Sequence, residues 1–332
     1  MKCEISPIKL KLKNDFVVAG GKASIKNNFV VRLDEIGLGE AAGSIHYGVD
    51  DDVIYKELIE IAEIINRTQP DLDDFLKSAS LYYSLPAICA LSTAWHDLHC
   101  KQNQSYFSGH FHFPEPFKYT TSLTVSVGDM EQLKQFWASN IQIIKLKMNN
   151  ELSEAKKIIS YINQNSNVKY RIDANSSWDY PLAEYVIKNV KPYRIEMIEQ
   201  PFDYDKPNLW EQLRANTDIP IIMDESINTP ADIIRAANIV DGVNIKIQKT
   251  GMLETVIEMI KTARGNNLKV MLGCMIESSI GIATAYSLSG MADFIDLDGA
   301  LLVENDPFVG LSYINQYLKI NGKYGHGITM AE

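Results

Sequence analysis

Seven apolar runs in this chain end on a charged or otherwise special residue, and the endings keep time. Lys147, Asp173, Glu199, Asp224, Lys246, Gly273 and Asp298 are separated by 26, 26, 25, 22, 27 and 25 residues. Such a spacing holds one strand, one turn and one returning helix, so it predicts parallel strands joined by crossover helices, an α/β fold. With one earlier run, the predicted strands are Tyr119–Val125, Gln142–Met148, Lys169–Asp173, Arg194–Glu199, Pro220–Asp224, Gly242–Ile247, Lys269–Gly273 and Phe294–Asp298, eight in all. Eight βα units close into a barrel whose strand carboxyl ends share one mouth. Six charged endings in phase, of both signs, then form a ring and are poorly explained as separate turn residues.

The residue types in that ring suggest chemistry. Asp173, Glu199 and Asp224 end consecutive strands, and hard oxygen donors without Cys or His suit octahedral Mg²⁺. Lys145 and Lys147 are two apart on one strand and leave the same face, while Ile144, Leu146 and Met148 face the helix layer. Side by side, each lysine is expected to depress the other's pKa. Lys246 comes from the strand after Asp224, across the barrel from Lys147, so a carbon held between them has an amine on either face. Opposed acid/base groups can remove a proton from one side and return it from the other, which inverts a stereocentre. A metal holding an adjacent carboxylate would make that C–H acidic enough. Asp296 and Asp298 in DLDG also share a face, either as a receptor for a ligand ammonium or as a structural pair.

The first hundred residues read differently. Ile5 to Val18 and Asn28 to Leu33 alternate like hairpin strands, with Gly20 and Gly21 in the turn, and helical patterns follow at 53–66, 71–78 and 84–99. The polar, Pro-punctuated stretch from Lys101 to Pro116 divides an α+β unit at 1–112 from the barrel at 113–299. A net charge of −10, with basic residues scattered, argues against nucleic acid as a partner. The amino-terminal MKCEISPIKLKLK lacks the apolar stretch of a signal peptide, and no run reaches the roughly 18 apolar residues of a membrane span. A cytoplasmic protein with reduced cysteines is expected. His96, His99 and Cys100 in AWHDLHC are read as helix-surface residues, since a zinc site would need a fourth ligand.

Taken together the motifs resemble the muconate-lactonizing subgroup of the enolase superfamily. They are GEA at Gly39 to Ala41, KLK at 145–147, DAN at 173–175, EQP at 199–201, DES at 224–226, NIK at 244–246 and GCMIES from Gly273. Within that subgroup the DLD of Asp296 to Asp298 is similar to that of the dipeptide epimerases. The resemblance implies a (β/α)₇β TIM-type barrel under an α+β capping domain that residues from about 300 to 332 complete. It implies Mg²⁺ as cofactor and inversion of the α-carbon of a dipeptide's C-terminal residue, by 1,1-proton transfer through an enediolate. The substrate would be L-Ala-D/L-Glu or a related L-Ala-Xaa, and the enzyme a homo-oligomer. By the same resemblance Lys147 and Lys246 exchange the proton, Lys145 contacts the terminal carboxylate, and Asp296 and Asp298 hold the α-ammonium. Thr124 and the backbone from Cys274 to Ile276 would line the pocket.

One departure concerns a cap loop where epimerases of Ala-Glu commonly carry Arg. Gly20 stands near that position, and Lys22 is the nearest substitute, a point charge without the bidentate fork. Preference for a C-terminal Glu does not follow. An o-succinylbenzoate synthase or N-acylamino acid racemase would share the lysines and metal ligands, but their substrates lack the free ammonium that DLD suits; a cycloisomerase fails on the same point. A Schiff-base aldolase using one lysine as nucleophile and a non-catalytic ligand-binding barrel are the more distant alternatives.

Overall fold

The computed structural model describes residues 1–18, 21–44, 48–116, 119–139, 141–164 and 167–331, the side chains of 14–18 and 21–23 excepted. At the amino terminus β1 (Cys3–Val18), β2 (Gly21–Leu33) and β3 (Gly37–Ala41) form a three-stranded antiparallel sheet. The second strand starts earlier than its alternation suggests. None of the described side chains from 24 to 27 is buried, with Ile25 exposed opposite Lys11, so no period marks them. Three helices follow: α1 (Asp51–Thr68), α2 (Leu72–Ala79) and α3 (Leu85–Gln102). The first buries Ile54, Leu58, Ile61 and Ile65, one helical face, and starts where the Asp50 carboxylate accepts from the amide of Asp52. The third lies so close to the sheet that a Cβ on Gly39 would sit 1.9 Å from the Ala90 carbonyl oxygen. Glycine is therefore required there by close approach.

Burial of α3 on most sides corrects the reading of its histidines. His96 and Cys100 are buried, not on the helix surface, and His99 is half-buried. His110, in the short helix α4 (Phe107–His110), reaches His96 with its Nε2 3.0 Å from Nδ1, while His96 Nε2 meets Glu254 at 2.9 Å. Burial, then its histidine neighbours, push His110 down to about 4.

Eight parallel strands follow in strict chain order: β4 (Leu123–Val125), β5 (Ile143–Lys147), β6 (Lys169–Asp173), β7 (Ile195–Glu199), β8 (Ile221–Met223), β9 (Gly242–Lys246), β10 (Lys269–Gly273) and β11 (Phe294–Asp296). They alternate with α5 (Met130–Ala138), α6 (Leu152–Gln164), α7 (Tyr180–Asn189), α8 (Pro207–Ala215), α9 (Pro230–Ala236), α10 (Ile247–Thr250), α11 (Leu253–Gly265) and α12 (Ser279–Ser287). Ile144, Leu146, Tyr170, Ile172, Val243 and Ile245 turn outward into the main core against the helices. The intervening Met197, Ile222 and Met271 form their own buried cluster inside the barrel, with Phe294 against it. The first and last strands meet through side chains: the Thr124 amide donates to Asp298 Oδ2 at 2.7 Å and the Leu297 amide to Thr121 Oγ1 at 2.7 Å.

The chain then returns through β12 (Phe308–Val309), β13 (Leu311–Ile314), β14 (Tyr317–Ile320) and β15 (Thr329–Met330). Phe308 and Ile328 join Val30 and Leu38 of the cap sheet and Ile280 of α12 in one cluster, which ties the carboxyl-terminal segment to both parts. Among the described residues no helix is long and apolar enough to cross a membrane.

Candidate active site

Ladder register places the strand endings level with one another. Lys147 pairs with Asp173, Asp173 with Glu199, Gly273 with Lys246 and Asp296 with Gly273. Five of the expected endings are therefore level, whereas Asp224 follows β8 and Asp298 lies two residues past β11, where Asp296 takes the level position. Lys147 and Lys246 end the second and sixth strands of eight, which stand opposite each other around a barrel.

Buried carboxylates and amines interlock in this ring. Lys145 Nζ lies 2.7 Å from Glu199 Oε2, 2.8 Å from Asp296 Oδ2 and 3.0 Å from Asp173 Oδ2. Burial alone would lower its pKa, but those carboxylates hold it well above the usual lysine value. The carboxylates therefore outweigh any lowering by the neighbouring lysine. Lys147 Nζ donates to Asn175 Oδ1 at 3.0 Å and stands 3.9 Å from Asp173. Lys246 Nζ donates to Asp224 Oδ2 at 2.7 Å. Among the described residues no three acidic, His or Cys side chains converge as an open cage, because lysine amines stand between the acids.

Electrostatics differ among the acids. Burial, opposed by Lys145 and reinforced by Asp173 and Asp224, pushes Glu199 up to about 8. Asp224 is equally buried, yet Lys246, Lys249 and Lys145 hold it far below the carboxylate range. Burial would raise Asp296 too, but Lys145 and Arg171 hold it down, and Ser122 donates to its other oxygen. Asp298, with less positive charge nearby, is pushed up to about 6 by burial and by Asp296. Thr124 and Asp298 are thus joined at the strand seam. The Ile276 carbonyl accepts from Asn28 of the cap at 3.0 Å, and Cys274 is partly buried beside it. Gly20 and the side chain of Lys22 lie outside the described residues.

Several polar residues missed in the sequence hold this ring. Lys249, just past β9, is almost fully buried, with Nζ 2.6 Å from Asp224 Oδ1. Asn244 donates to Glu199 Oε1 at 2.7 Å, and its amide fills the space a Cβ on Gly273 would need, at 2.5 Å. That explains the glycine in an otherwise charged series. Gln248 donates to Glu277 Oε2 and to the Glu40 carbonyl, both at 2.9 Å, and accepts from the Ala42 amide at 3.0 Å. Glu40, the acid of the GEA motif, accepts from Ser278 Oγ at 2.7 Å and from the amides of Ser278 and Gly281 at the start of α12. Carboxylates suit a helix N-terminus. A cavity of about 490 Å³ lies beside the ring, between Ala42, Ser44 and Val49 of the cap and Ser176, Glu225 and Lys249 of the barrel.

The chain is similar to known proteins to differing depth. Residues 129–332 match the family described as Enolase C-terminal domain-like. The L-Ala-D/L-amino acid epimerase of Flavobacterium johnsoniae is 27% identical over 99% of this chain and 100% of its own length. A substrate-liganded complex of the L-Ala-D/L-Glu epimerase from Bacillus subtilis gives a TM-score of 0.87 at 23% identity, covering 100% of both chains. The dipeptide epimerase of Cytophaga hutchinsonii, complexed with Mg and the dipeptide D-Ala-L-Val, gives 0.88 at 22% identity over 99% of this chain and 95% of that one. At these identities the likeness to the solved structures is one of fold.

Proposed function

The chain belongs to the Enolase C-terminal domain-like family, and from that premise we propose that it is a dipeptide epimerase, an isomerase that inverts the α-carbon of the C-terminal residue of an L-Ala-Xaa dipeptide with Mg²⁺ bound. The observation that carries the reading is the pair of amines, Lys147 and Lys246, ending opposite strands of a mouth lined by buried acids. Relatives bearing the names of epimerases, over nearly the whole chain, support the reaction class.

A dipeptide carbon between the two amines can be inverted without loss or gain of atoms. The lysine that is neutral takes the α-proton from its face, and the C–H electron pair moves into the adjoining carboxylate as an enediolate. The opposite ammonium then gives a proton to the other face. Lys145, already the hub of the acids, is suited to meet the dipeptide carboxylate, and Asp298 and Asp296 its α-ammonium.

Asp173, Glu199 and Asp224 would hold the Mg²⁺. The fit rests on the donor set, three buried carboxylates at or just past the ends of consecutive strands, of which Glu199 is raised to about 8 by burial first and then by Asp173 and Asp224, a load that a divalent cation would relieve. Bound there, Mg²⁺ supplies positive charge against which a carboxylate can accept the electron pair. The test is proton exchange in D₂O across a library of L-Ala-Xaa dipeptides. Deuterium should enter the second residue's α-carbon and the epimer should appear, both lost with a chelator and restored by Mg²⁺. Exchange confined to N-succinyl amino acids, or none with any dipeptide, sinks the proposal.

A further inference from the structure

Asn175 is the second residue past the Asp173 end of β6, and its backbone sits in the left-handed region at φ 41°, followed by Ser176 at 60°. Asn tolerates this conformation better than most residues, and such outliers gather where geometry matters. The turn brings the side chain back across the mouth. Its own amide donates to Asp173 Oδ1 at 3.0 Å, and its Oδ1 accepts from Lys147 Nζ at 3.0 Å. Its Nδ2 donates to Glu225 Oε1 at 2.9 Å.

An Asn side chain has a donor and an acceptor end, and which one faces a neighbour depends on the other end's partner. Here Glu225 decides. An ionised carboxylate only accepts, so it draws Nδ2 toward itself and leaves Oδ1 for the lysine. Without it the amide could turn over and set two donors against each other. Lys246 is held by Asp224, the residue directly before Glu225. The Asn175 side chain thus bonds Lys147, and the Asp224 carboxylate bonds Lys246.

We infer that Asn175 and Glu225 are positioning residues for Lys147, aiming that amine at one face of the substrate carbon, with Glu225 fixing the direction of the Asn175 amide. This rests on the reading of the two lysines as opposed acid/base groups. Misplacing a reacting group by an ångström costs on the order of a hundredfold in rate. The loss should fall on one stereoisomer's proton.

The experiment uses both epimers of the L-Ala-Xaa dipeptide that the wild-type enzyme labels fastest, each incubated separately with Mg²⁺ in D₂O. Wild-type loss of the α-proton from both epimers is the baseline, and its absence for every dipeptide refutes the epimerase reading itself. In Asn175→Leu and Glu225→Leu, exchange should fall by roughly 10- to 100-fold for one and the same epimer, and by under about threefold for the other. Interconversion of the epimers should fall in both directions. Glu225→Gln keeps an acceptor for the amide and should restore the lost exchange to within about threefold of wild type. Mg²⁺ affinity by calorimetry should stay within about threefold. Should Asn175→Leu fail to fold, Glu225→Leu carries the same comparison. Equal loss for both epimers, a parallel loss of Mg²⁺ affinity, or wild-type exchange in both Leu variants overturns the inference.

Discussion

Asp298 is one of the residues that a change of pH near neutrality reaches. Its carboxyl is raised to about 6 by burial and by the charge of Asp296, so it is ionised above that value and neutral below it. A neutral acid cannot hold an ammonium by charge. On the proposed reading KM for the dipeptide rises as pH falls through about 6, and Asp298→Asn raises KM by roughly 10- to 100-fold and removes that limb, the loss expected of a charge-assisted hydrogen bond. Steady-state kinetics between pH 5 and 8 check this, and an unchanged KM in the variant ends the ammonium role. Lys147→Ala and Lys246→Ala should each abolish epimerisation, one of them still exchanging the proton of a single epimer; normal turnover in both refutes the two-base assignment. These lysines and the acids were legible because alternate strand positions fix which way they point. Asn175 and Lys249 were not, since a polar residue past a strand end looks like any turn residue, nor was Asn244, which shares the inward face of β9 with Lys246 but carries no charge to mark it. Their meaning lies in partners 50, 25 and 45 positions away.

Among the elements, the strands of the barrel follow the sequence closely because each is a short apolar run between helical patterns. Lys169–Asp173 and Lys269–Gly273 have the expected bounds, and the other six are shortened at one or both ends, as in Ile143–Lys147 against 142–148. The β13–β14 hairpin escaped notice. Its tip, Asn315 and Gln316, takes positive φ at both positions, the geometry of a tight hairpin turn that Asn-Gly would have advertised. Its purpose is also remote: Gln316 donates to the carbonyls of Thr121 and Ile143, at 2.9 and 2.7 Å, near the starts of β4 and β5. Close packing of α3 on β3 makes a sharper prediction. Gly39→Ala forces these apart, because the new methyl group would overlap the Ala90 carbonyl, and overpacking of this kind costs about 1–3 kcal/mol or more. Urea unfolding of the variant measures it, and stability equal to wild type would show that the two elements can separate freely.

For the molecule as a whole, the contact of cap with barrel is made by acids rather than by apolar surface alone. Glu40 from β3 and Glu277 from the loop after β10 are both fully buried and flank Gln248, which bonds the backbone of one and the carboxylate of the other. Burial, with the charge of Glu40 next, raises Glu277 to about 7, and burial raises Glu40 as well. The sign follows from linkage: a carboxyl whose pKa is higher in the folded chain binds more proton there, so its contribution stabilises below the ordinary Glu value and is lost as pH climbs to about 7. A single acid displaced this far changes stability by about 3 kcal/mol across that window. Glu277→Gln removes the titration and, whatever it costs in absolute terms, should make the variant gain relative to wild type between pH 5 and 7.5. Urea unfolding of both proteins without Mg²⁺ or dipeptide reads that difference. A constant gap between the two curves would mean that the acids at the junction keep the same protonation folded and unfolded.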